Sequence, residues 1–276
     1  MKKHKKILKY ICILGLILFV ALGLNPALQT TEYIYESAEI PASFDGYTIC
    51  QISDLHCKSF GKDNQKLLSE INEMNPDIVV LTGDIVDEDH EDLSAVEALF
   101  QGIQQANIPC YYVTGNHELE DDAEVQYAEL LSMIEKYNII NMDDKTQTIR
   151  KGTDSIYLTG SKWYSRYVVN FLVPTKPDGF HILLYHGTDF FDLIKDYNYD
   201  LVLSGHIHGG IIRLPFINKG LFGNSGELNP QYVSGIYQNK QGTCTMIASR
   251  GLGDAFLPRF YNRPELVRIT LKAPQP

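Results

Sequence analysis

Cysteine is scarce in this sequence, with five residues spread over 276 positions and no Cys-x-x-Cys pair. Cysteines placed this far apart argue against a zinc finger and against a small scaffold held together by disulfides. The chain also has no low-complexity tract. Its length and its 44% content of hydrophobic residues are instead typical of a globular protein that buries a substantial core.

Basic residues are scarce after the first thirty positions. Those thirty contain five lysines and no acidic residue, so the remainder has nineteen basic against thirty-four acidic residues and a net charge of about −15. Sequence-independent binding to nucleic acid needs Lys and Arg to neutralise phosphates. We therefore expect no nucleic-acid partner. If the substrate is a phosphate ester, something other than side-chain cations must offset its charge.

One long apolar run lies at the N-terminus, where a basic cluster at 1–6 precedes residues 7–24, which are apolar except for Lys9. Its uninterrupted part, 10–24, has fifteen residues. That length lies between the core of a signal peptide and the roughly 20 residues of a spanning helix. No clean small-x-small cleavage site follows. We interpret residues 1–30 as a basic flank and transmembrane signal anchor, with a cleaved secretory peptide and a buried soluble helix as alternatives.

The charge of this flank predicts the topology of the rest of the chain. Positive flanks stay in the cytoplasm, so the C-terminal body is expected on the extracytoplasmic side, either anchored to the membrane or, after cleavage, secreted. Residues 31–45 contain Pro41 and mixed polar residues and are interpreted as a stem. The main domain is then predicted to cover residues 46–272.

From residue 46 onward, a strand, a loop and a helix follow one another repeatedly. Short apolar or alternating runs predict strands, and apolar residues at helical spacing predict helices. The predicted strands are 47–52, 77–81, 110–113, 180–185, 201–203, 244–249 and 266–271, with a hairpin of 146–150 and 155–159. The predicted helices are 64–74, 93–106, 127–137 and 190–195. This alternation indicates an α/β protein.

Five of the predicted strands end in loops with side chains of the kinds that bind metals. These are Asp54 and His56, then Asp84, then Asn116 and His117, then His186, and last His206 and His208. Each loop alone has an ordinary interpretation as a helix cap, a turn or a loop hydrogen bond. Strand-end loops of α/β proteins, however, gather along the sheet edge where ligands bind. Because five coincidences at one topological position are implausible, we expect a single site.

The types of ligand in these loops narrow the chemistry of the site. Three carboxylate or amide oxygens and four imidazoles make a mixed site that suits Mn, Fe, Zn or Co better than a thiolate cage or an all-oxygen calcium loop. Seven ligands exceed what a single catalytic ion with an open position uses. They suit two ions, about 3.5–4 Å apart, that share one carboxylate. The sequence therefore predicts two divalent metal ions.

These motifs resemble a known family. Asp54-x-His56, Gly83-Asp84, Gly115-Asn116-His117-Glu118, His186 and Gly205-His206-x-His208 look like the five signature blocks of the calcineurin-like metallophosphoesterases, in order and in rough spacing. The Gly-Gly after His208 and the later Ser249-Arg250-Gly251 are similar to the membrane-anchored or exported bacterial branch. The resemblance implies two packed mixed β-sheets flanked by helices. Glu118 stands where many members of the family have Asp.

The resemblance also implies a role for each residue. The first ion would be held by Asp54, His56 and His208, the second by Asn116, His186 and His206, with Asp84 bridging both. His117 would bind no metal and would act as a general acid or stabilise charge on the phosphoryl group. Arg250 is a candidate contact to a phosphate or head group, or else a surface salt bridge. The two ions would activate a bridging hydroxide and offset the substrate's charge despite the acidic body.

The function that follows from this resemblance is hydrolysis of phosphate esters. A retained anchor favours a phosphodiester or pyrophosphate bond in a lipid or envelope component. A general phosphomonoesterase is the alternative enzyme. A catalytically silent scaffold of the same fold is the alternative from another class, and it is disfavoured because His117 and every ligand position are kept.

Overall fold

Strands and helices alternate along most of the chain. The computed structural model describes residues 2–172, 178–215, 219–223, 226, 228–255 and 257–274. In these residues the strands are β1 (Gln29–Glu36), β2 (Thr48–Ile52), β3 (Ile78–Thr82), β4 (Cys110–Val113), β5 (Ile140–Asn141), β6 (Lys145–Lys151), β7 (Asp154–Gly160), β8 (His181–Gly187), β9 (Leu201–Gly205), β10 (Gly235–Gln238), β11 (Thr245–Ala248) and β12 (Glu265–Lys272). The α-helices are α1 (Lys2–Gly23), α2 (Gln65–Met74), α3 (Ser94–Gln105), α4 (Glu124–Lys136) and α5 (Phe191–Ile194).

The strands form two mixed sheets. The first has the order β1-β12-β2-β3-β4-β5, and the second has the order β10-β11-β9-β8-β7-β6. β2, β3 and β4 run parallel to one another, as do β7, β8, β9 and β11. Parallel strands bring their carboxyl ends to the same sheet edge. This topology therefore gathers the loops that follow β2, β3, β4, β8 and β9.

The two sheets pack face to face, with helices on both outer faces. Val79 and Leu81 of β3 pack beneath α2 and α3, whereas Val80 faces the second sheet. Successive side chains of a strand point to opposite faces, so a strand buried on both sides reads as one continuous apolar run. β8 follows the same rule, since Leu184 faces the first sheet and Leu183 faces α5. The predicted α/β sandwich of two helix-flanked mixed sheets is confirmed.

β1 lies in a stretch where the sequence pattern indicated no strand. The stem interpretation of residues 31–45 did not anticipate that Gln29–Glu36 pairs with β12 along its whole length. β1 is an edge strand whose first three residues are half-buried and whose remaining residues alternate between exposed and half-buried. Tyr33 and Tyr35 pack onto the core between the sheets, while the polar residues between them hide the pattern. The tertiary contacts, rather than local propensity, make this segment a strand.

α1 extends from the body as an apolar helix. Residues Lys3–Gly23 are long and apolar enough to cross a membrane, and only 6% of that span is buried inside the protein. A signal sequence near the N-terminus can meet the same criteria of length and composition. The side chains of Leu8, Ile11 and Leu14 are each more than 60% exposed. α1 therefore leaves its apolar side chains exposed, in contrast to α2 and α3, which bury theirs against the first sheet.

Candidate metal centre

The loops after β2 and β3 are held together by backbone hydrogen bonds. The amides of Asp54, His56 and Cys57 donate to the carbonyls of Gly83, Asp84 and Ile85 at 3.0–3.1 Å. This pairing places the side chains of Asp54, His56 and Asp84 beside one another. All three have positive φ angles, between 46° and 52°. Left-handed backbone is costly for non-glycine residues and persists where the surrounding structure imposes it, often at functional sites.

Three groups of potential ligands lie at this edge, each with ligand atoms within 4.8 Å of one another. In the described residues, Asp54, His56 and His208 form one group and Asp84, His186 and His206 another, while the third group, His56, Asp84 and His117, takes residues from the first two and adds His117. In the first two groups His206 is half-buried and the other five residues are buried. These two groups draw on β8 and on the loops after β2, β3 and β9. The structure thus brings together residues separated by as many as 154 positions in the chain.

The first group is tightly packed. His56 Nε2 lies 3.1 Å from His208 Nε2, and His208 Nε2 lies 3.5 Å from Asp54 Oδ1. The amide of His206 donates to the same Asp54 oxygen at 2.8 Å, which ties the loop after β9 to the loop after β2. Imidazole nitrogens this close to one another, beside a carboxylate, favour a shared cation.

Asp84 lies between the two groups. Its Oδ2 is 2.9 Å from His186 Nε2 in the second group and 3.9 Å from His56 Nε2 in the first. Its other oxygen, Oδ1, accepts the amide of His117 at 2.9 Å. Asn116, which precedes His117 in the chain, has a buried Oδ1 that accepts no hydrogen bond from the described residues. A carboxylate in this position can serve both groups at once.

The donor atoms fit divalent cations. Asp54 Oδ2 and Asn116 Oδ1 are buried and accept no hydrogen bond from the described part of the chain. Leaving such oxygens unsatisfied costs about 1–3 kcal/mol each, more for charged groups. Positive charge among them removes that cost. Mixed imidazole and carboxylate ligands suit transition-metal ions.

The electrostatics of the histidines favour the same conclusion. Burial and the neighbouring His186 lower the pKa of His206 to about 3, and burial beside His56 holds the pKa of His208 well below its usual value. Both imidazoles are therefore neutral near pH 7 and can bind a metal. For His186, burial opposes protonation, but the carboxylates of Asp84 and Asp54 outweigh it and raise the pKa to about 10. This part of the site attracts a positive charge.

A second layer of contacts orients the ligands. His186 Nδ1 donates to the carbonyl of Thr82 at 2.7 Å, and His56 Nδ1 lies 3.1 Å from Asp87 Oδ2. With Nδ1 held in this way, the Nε2 atoms of His56 and His186 face the centre of the site. Such partners fix the tautomer and the ring orientation of metal-binding histidines. The contribution of Asp87 was not predicted from the sequence, in which it lies within an acidic run.

Glu118 connects the loops after β3 and β4. Its buried carboxylate accepts the amides of Gly115 at 2.8 Å, Asp84 at 3.0 Å and Ile85 at 2.6 Å. Burial, together with the charge of Asp84, raises the pKa of Glu118 to about 7. The sequence shows Glu118 as part of a motif, but its role in joining two loops became visible only in three dimensions.

Gly83 is required by the close approach of these loops. It has φ +86°, and a Cβ there would lie 2.7 Å from both Gly115 Cα and His186 Nδ1. Neither the backbone nor the hydrogen-bonded imidazole can move aside easily. A glycine is therefore required before Asp84 for two reasons: its φ is positive, and there is no room for a Cβ.

His117 faces a cavity of about 520 Å³ next to the two groups. The lining residues include His56, Glu88, Asn116, His208 and Ala255. His117 Nδ1 lies 2.8 Å from Glu88 Oε2. Burial opposes its protonation, but Asp84 and Glu88 outweigh that effect and raise the pKa of His117. A histidine held in this way can present a proton to a ligand in the cavity.

Arg250 is not among the described residues that line this cavity. Its guanidinium pairs with the buried Glu265 Oε1 at 2.9 Å. Arg259, which the sequence analysis did not single out, is closer to the centre: its Nη2 lies 3.1 Å from His208 Nδ1. Its other nitrogens donate to the carbonyls of Gly253 and Arg250, each at 2.8 Å. No spacing motif marks Arg259 in the sequence.

Comparisons with known proteins agree with this geometry. The family model for the calcineurin-like phosphoesterases matches residues 47–210. YkuE of Bacillus subtilis (strain 168), described as an uncharacterized metallophosphoesterase, is 32% identical over 89% of this chain and 86% of its own length. The UDP-2,3-diacylglucosamine pyrophosphatase LpxG of Chlamydia muridarum is 25% identical over 82% of this chain and 83% of its own length. A transmembrane protein with a metallophosphoesterase domain from Danio rerio is 28% identical over 85% of this chain and 55% of its own length.

The chain belongs to the calcineurin-like phosphoesterase family. It is a phosphoric ester hydrolase of the dinuclear-metal class, and the predicted resemblance and enzyme class are confirmed. The clusters of His and Asp at the sheet edge are where this chain could bind the metal ions.

Proposed function

We propose that this hydrolase cleaves a phosphodiester or pyrophosphate bond in a lipid or envelope component at the outer face of a membrane. The observation that carries the proposal is the position of the ligand groups, buried at the floor of an open cavity, in a body that also bears an exposed apolar helix long enough to span a bilayer. The relative LpxG, by its name a pyrophosphatase of a diacylated sugar nucleotide, supports the lipid part of the proposal.

The proposed roles follow the two groups of side chains. One ion would be held by Asp54, His56 and His208, and the other by Asn116, His186 and His206. Asp84, with one oxygen near both groups, would serve both ions. When bound, the two ions supply a water of lowered pKa and offset the charge of the phosphoryl oxygens.

His117 supplies the proton in this proposal. Its Nδ1 is fixed by Glu88, and its raised pKa favours the doubly protonated ring, so Nε2–H is free to donate to the leaving-group oxygen or to a phosphoryl oxygen. Its side chain is 26% exposed, which leaves it accessible from the cavity. The acidic body does not repel the anionic substrate because the charge is offset at the site itself.

A direct test uses the full-length chain in detergent. Bound metals are counted by mass spectrometry, and hydrolysis of bis-p-nitrophenyl phosphate is compared with that of p-nitrophenyl phosphate. We expect two ions per chain and faster hydrolysis of the diester. Asp84→Asn should lose metal and at least about 100-fold in activity, since loss of even an outer contact costs about 10–100-fold.

Asp63→Asn is the matched control, because Asp63 is an exposed aspartate outside the site, and it should retain both metal and activity. Preference for the monoester would instead identify a general phosphomonoesterase. Wild-type protein that binds two ions without hydrolysing either compound would favour the silent scaffold. Turnover that is unchanged in Asp84→Asn would exclude the assigned roles.

A further inference from the structure

The C-terminal end of α1 rests on two adjacent aromatic residues of the body. The ring centroid of Phe19 lies 5.7 Å from that of Phe260 and 5.1 Å from that of Tyr261. Tyr261 donates its hydroxyl to the carbonyl of Phe19 at 2.9 Å and its amide to the carbonyl of Gly23 at 2.7 Å. A Cβ at Gly23 would clash with the Phe260 ring. The helix end is therefore held in one orientation.

The segment that receives α1 also reaches the metal centre. We call residues 257–262 the docking segment. Arg259, on one side of the two aromatics, lies 3.1 Å from the ring of His208. Asn262, on the other side, donates its Nδ2 to the carbonyl of His208 at 2.6 Å and to that of Ile211 at 3.1 Å. Six consecutive residues thus join the apolar helix to a proposed metal ligand.

Exposed leucines lie beside this junction. Leu257 opens the docking segment and is 36% exposed, and it follows the cavity-lining Ala255 by two positions. Leu214 is 43% exposed. It is next in the chain to Arg213, whose amide donates to the carbonyl of Phe260 at 2.9 Å. Leu22 and Leu24 at the end of α1 are about half exposed. Exposed leucines therefore lie at the end of α1, within two positions of the cavity-lining Ala255, and next to a residue bonded to the docking segment.

We infer that this face, defined by Leu214, Leu257 and the end of α1, lies in the interfacial layer of the bilayer that α1 enters. The inference rests on the proposed function, in which α1 crosses the membrane. A helix that exits the bilayer at Gly23 places its docked neighbours at the level of the lipid head groups, a depth that aromatic residues favour. Apolar side chains in such a face sit about 5–10 Å into the head-group and acyl boundary.

The consequence concerns the class of substrate. The cavity opens beside lipid, so the centre receives amphiphiles whose phosphate-ester head group stays in the membrane interface while the acyl chains remain in the bilayer. The basic flank at the other end of α1 lies on the opposite side of the membrane. A soluble phosphate ester can still reach the cavity from water, which keeps the detergent assay valid.

The test measures how deeply labelled residues lie in the bilayer and does not depend on catalytic activity. In full-length protein with Cys12→Ser, the remaining four cysteines are buried, so a single introduced cysteine carries an NBD label. Leu257→Cys and Leu214→Cys are compared with Leu193→Cys on α5, where Leu193 is 42% exposed. The proteins are reconstituted in vesicles of phosphatidylcholine and phosphatidylglycerol, with and without a lipid that carries a doxyl group near its head group.

We expect blue-shifted emission and at least about twofold quenching by the doxyl lipid at 257 and 214, and water-like emission at 193. Phe260→Ala removes a ring that contacts α1. The emission of the labels at 257 and 214 should then shift toward that of the label in water, while the bound metal is retained. Water-like emission at all three positions overturns the inference. Failure of the phosphoesterase assay would overturn the proposed function alone, because the label reports position without turnover.

Discussion

The two ends of the sandwich each contain a polar cavity, yet they differ in what the polar groups do. The candidate metal centre lies at the carboxyl ends of the parallel strands, beside a cavity of about 520 Å³. A larger cavity of about 720 Å³ lies at the amino ends of β8, β9 and β11. There, Asp200 Oδ2 accepts the amide of His181 at 2.7 Å, and the His181 ring stacks on Tyr157 with centroids 4.7 Å apart.

The difference shows that cavity size does not identify the site. Asp84 is buried among imidazoles, and although burial opposes its ionisation, His186 holds its pKa well below the usual range. For Asp200, burial outweighs the hydrogen bond from the His181 amide and raises the pKa to about 6. At the first end, buried carboxylates and imidazoles from separate loops lie close together. At the second end, Asp200 accepts a hydrogen bond from the backbone amide of His181 and lines the cavity.

The largest loss of stability is expected for Gly83→Ala, and Gly46→Ala at the other end of the sandwich is its comparison. Gly83 and Gly46 have similar positive φ angles, +86° and +77°, but a Cβ at Gly46 meets nothing within 4 Å. Gly46→Ala should cost about 1–2 kcal/mol, the penalty for left-handed backbone. Gly83→Ala adds a clash and should cost about 3–5 kcal/mol and most of the bound metal. Thermal unfolding and metal analysis measure both; equal losses would show that the close packing at Gly83 is unimportant.

Arg259→Ala should have an intermediate effect. It leaves the carbonyls of Gly253 and Arg250 without their donor. Because Gly253 itself donates to the carbonyl of Asp54, we expect about 10–100-fold weaker metal retention. Titration with a chelator measures this, with Arg150→Ala at an exposed arginine of β6 as the control. Identical curves for the two variants would mean that Arg259 does not support the centre.

Asp200→Asn should change only the pH dependence of stability. Between about pH 4 and 6 the unfolded carboxyl has lost its proton while the folded one retains it. The free energy of unfolding of the wild type therefore falls as pH rises through this window. In the variant this contribution is absent, so its melting temperature should fall less over the same range. Loss of metal or activity in Asp200→Asn would contradict the separation between the two ends.

Much of the centre could be predicted because each loop carries its own short motif after an apolar strand. Asp54, Asp84 and His186 are recognisable one at a time, and parallel strands bring them to one edge. Arg259 could not be found in this way. It lies far along the chain in an irregular segment and acts on backbone carbonyls, which leave no mark in the sequence. Arg250, chosen because it lies in a motif, pairs with Glu265, and its contact to a phosphate or head group stays a prediction.

β1 escaped prediction for a related reason. A half-exposed edge strand has one polar face, and its pairing partner β12 is more than 220 residues away in the chain. Periodicity detects a strand with a continuous apolar run, such as β3, more readily than one whose inward residues are two tyrosines. The fold class was therefore predictable from the central strands, and the edges were not.

Glu118 has a consequence for how this enzyme can diversify. Because one carboxylate accepts the amides of Gly115, Asp84 and Ile85, the loops that carry His117, the proposed proton donor, and Asp84, the carboxylate proposed to be shared by the ions, are tied to each other. The rim around Ala255 and Leu257 belongs to a different part of the chain. Changes there can alter which molecules enter while the reacting groups keep their spacing.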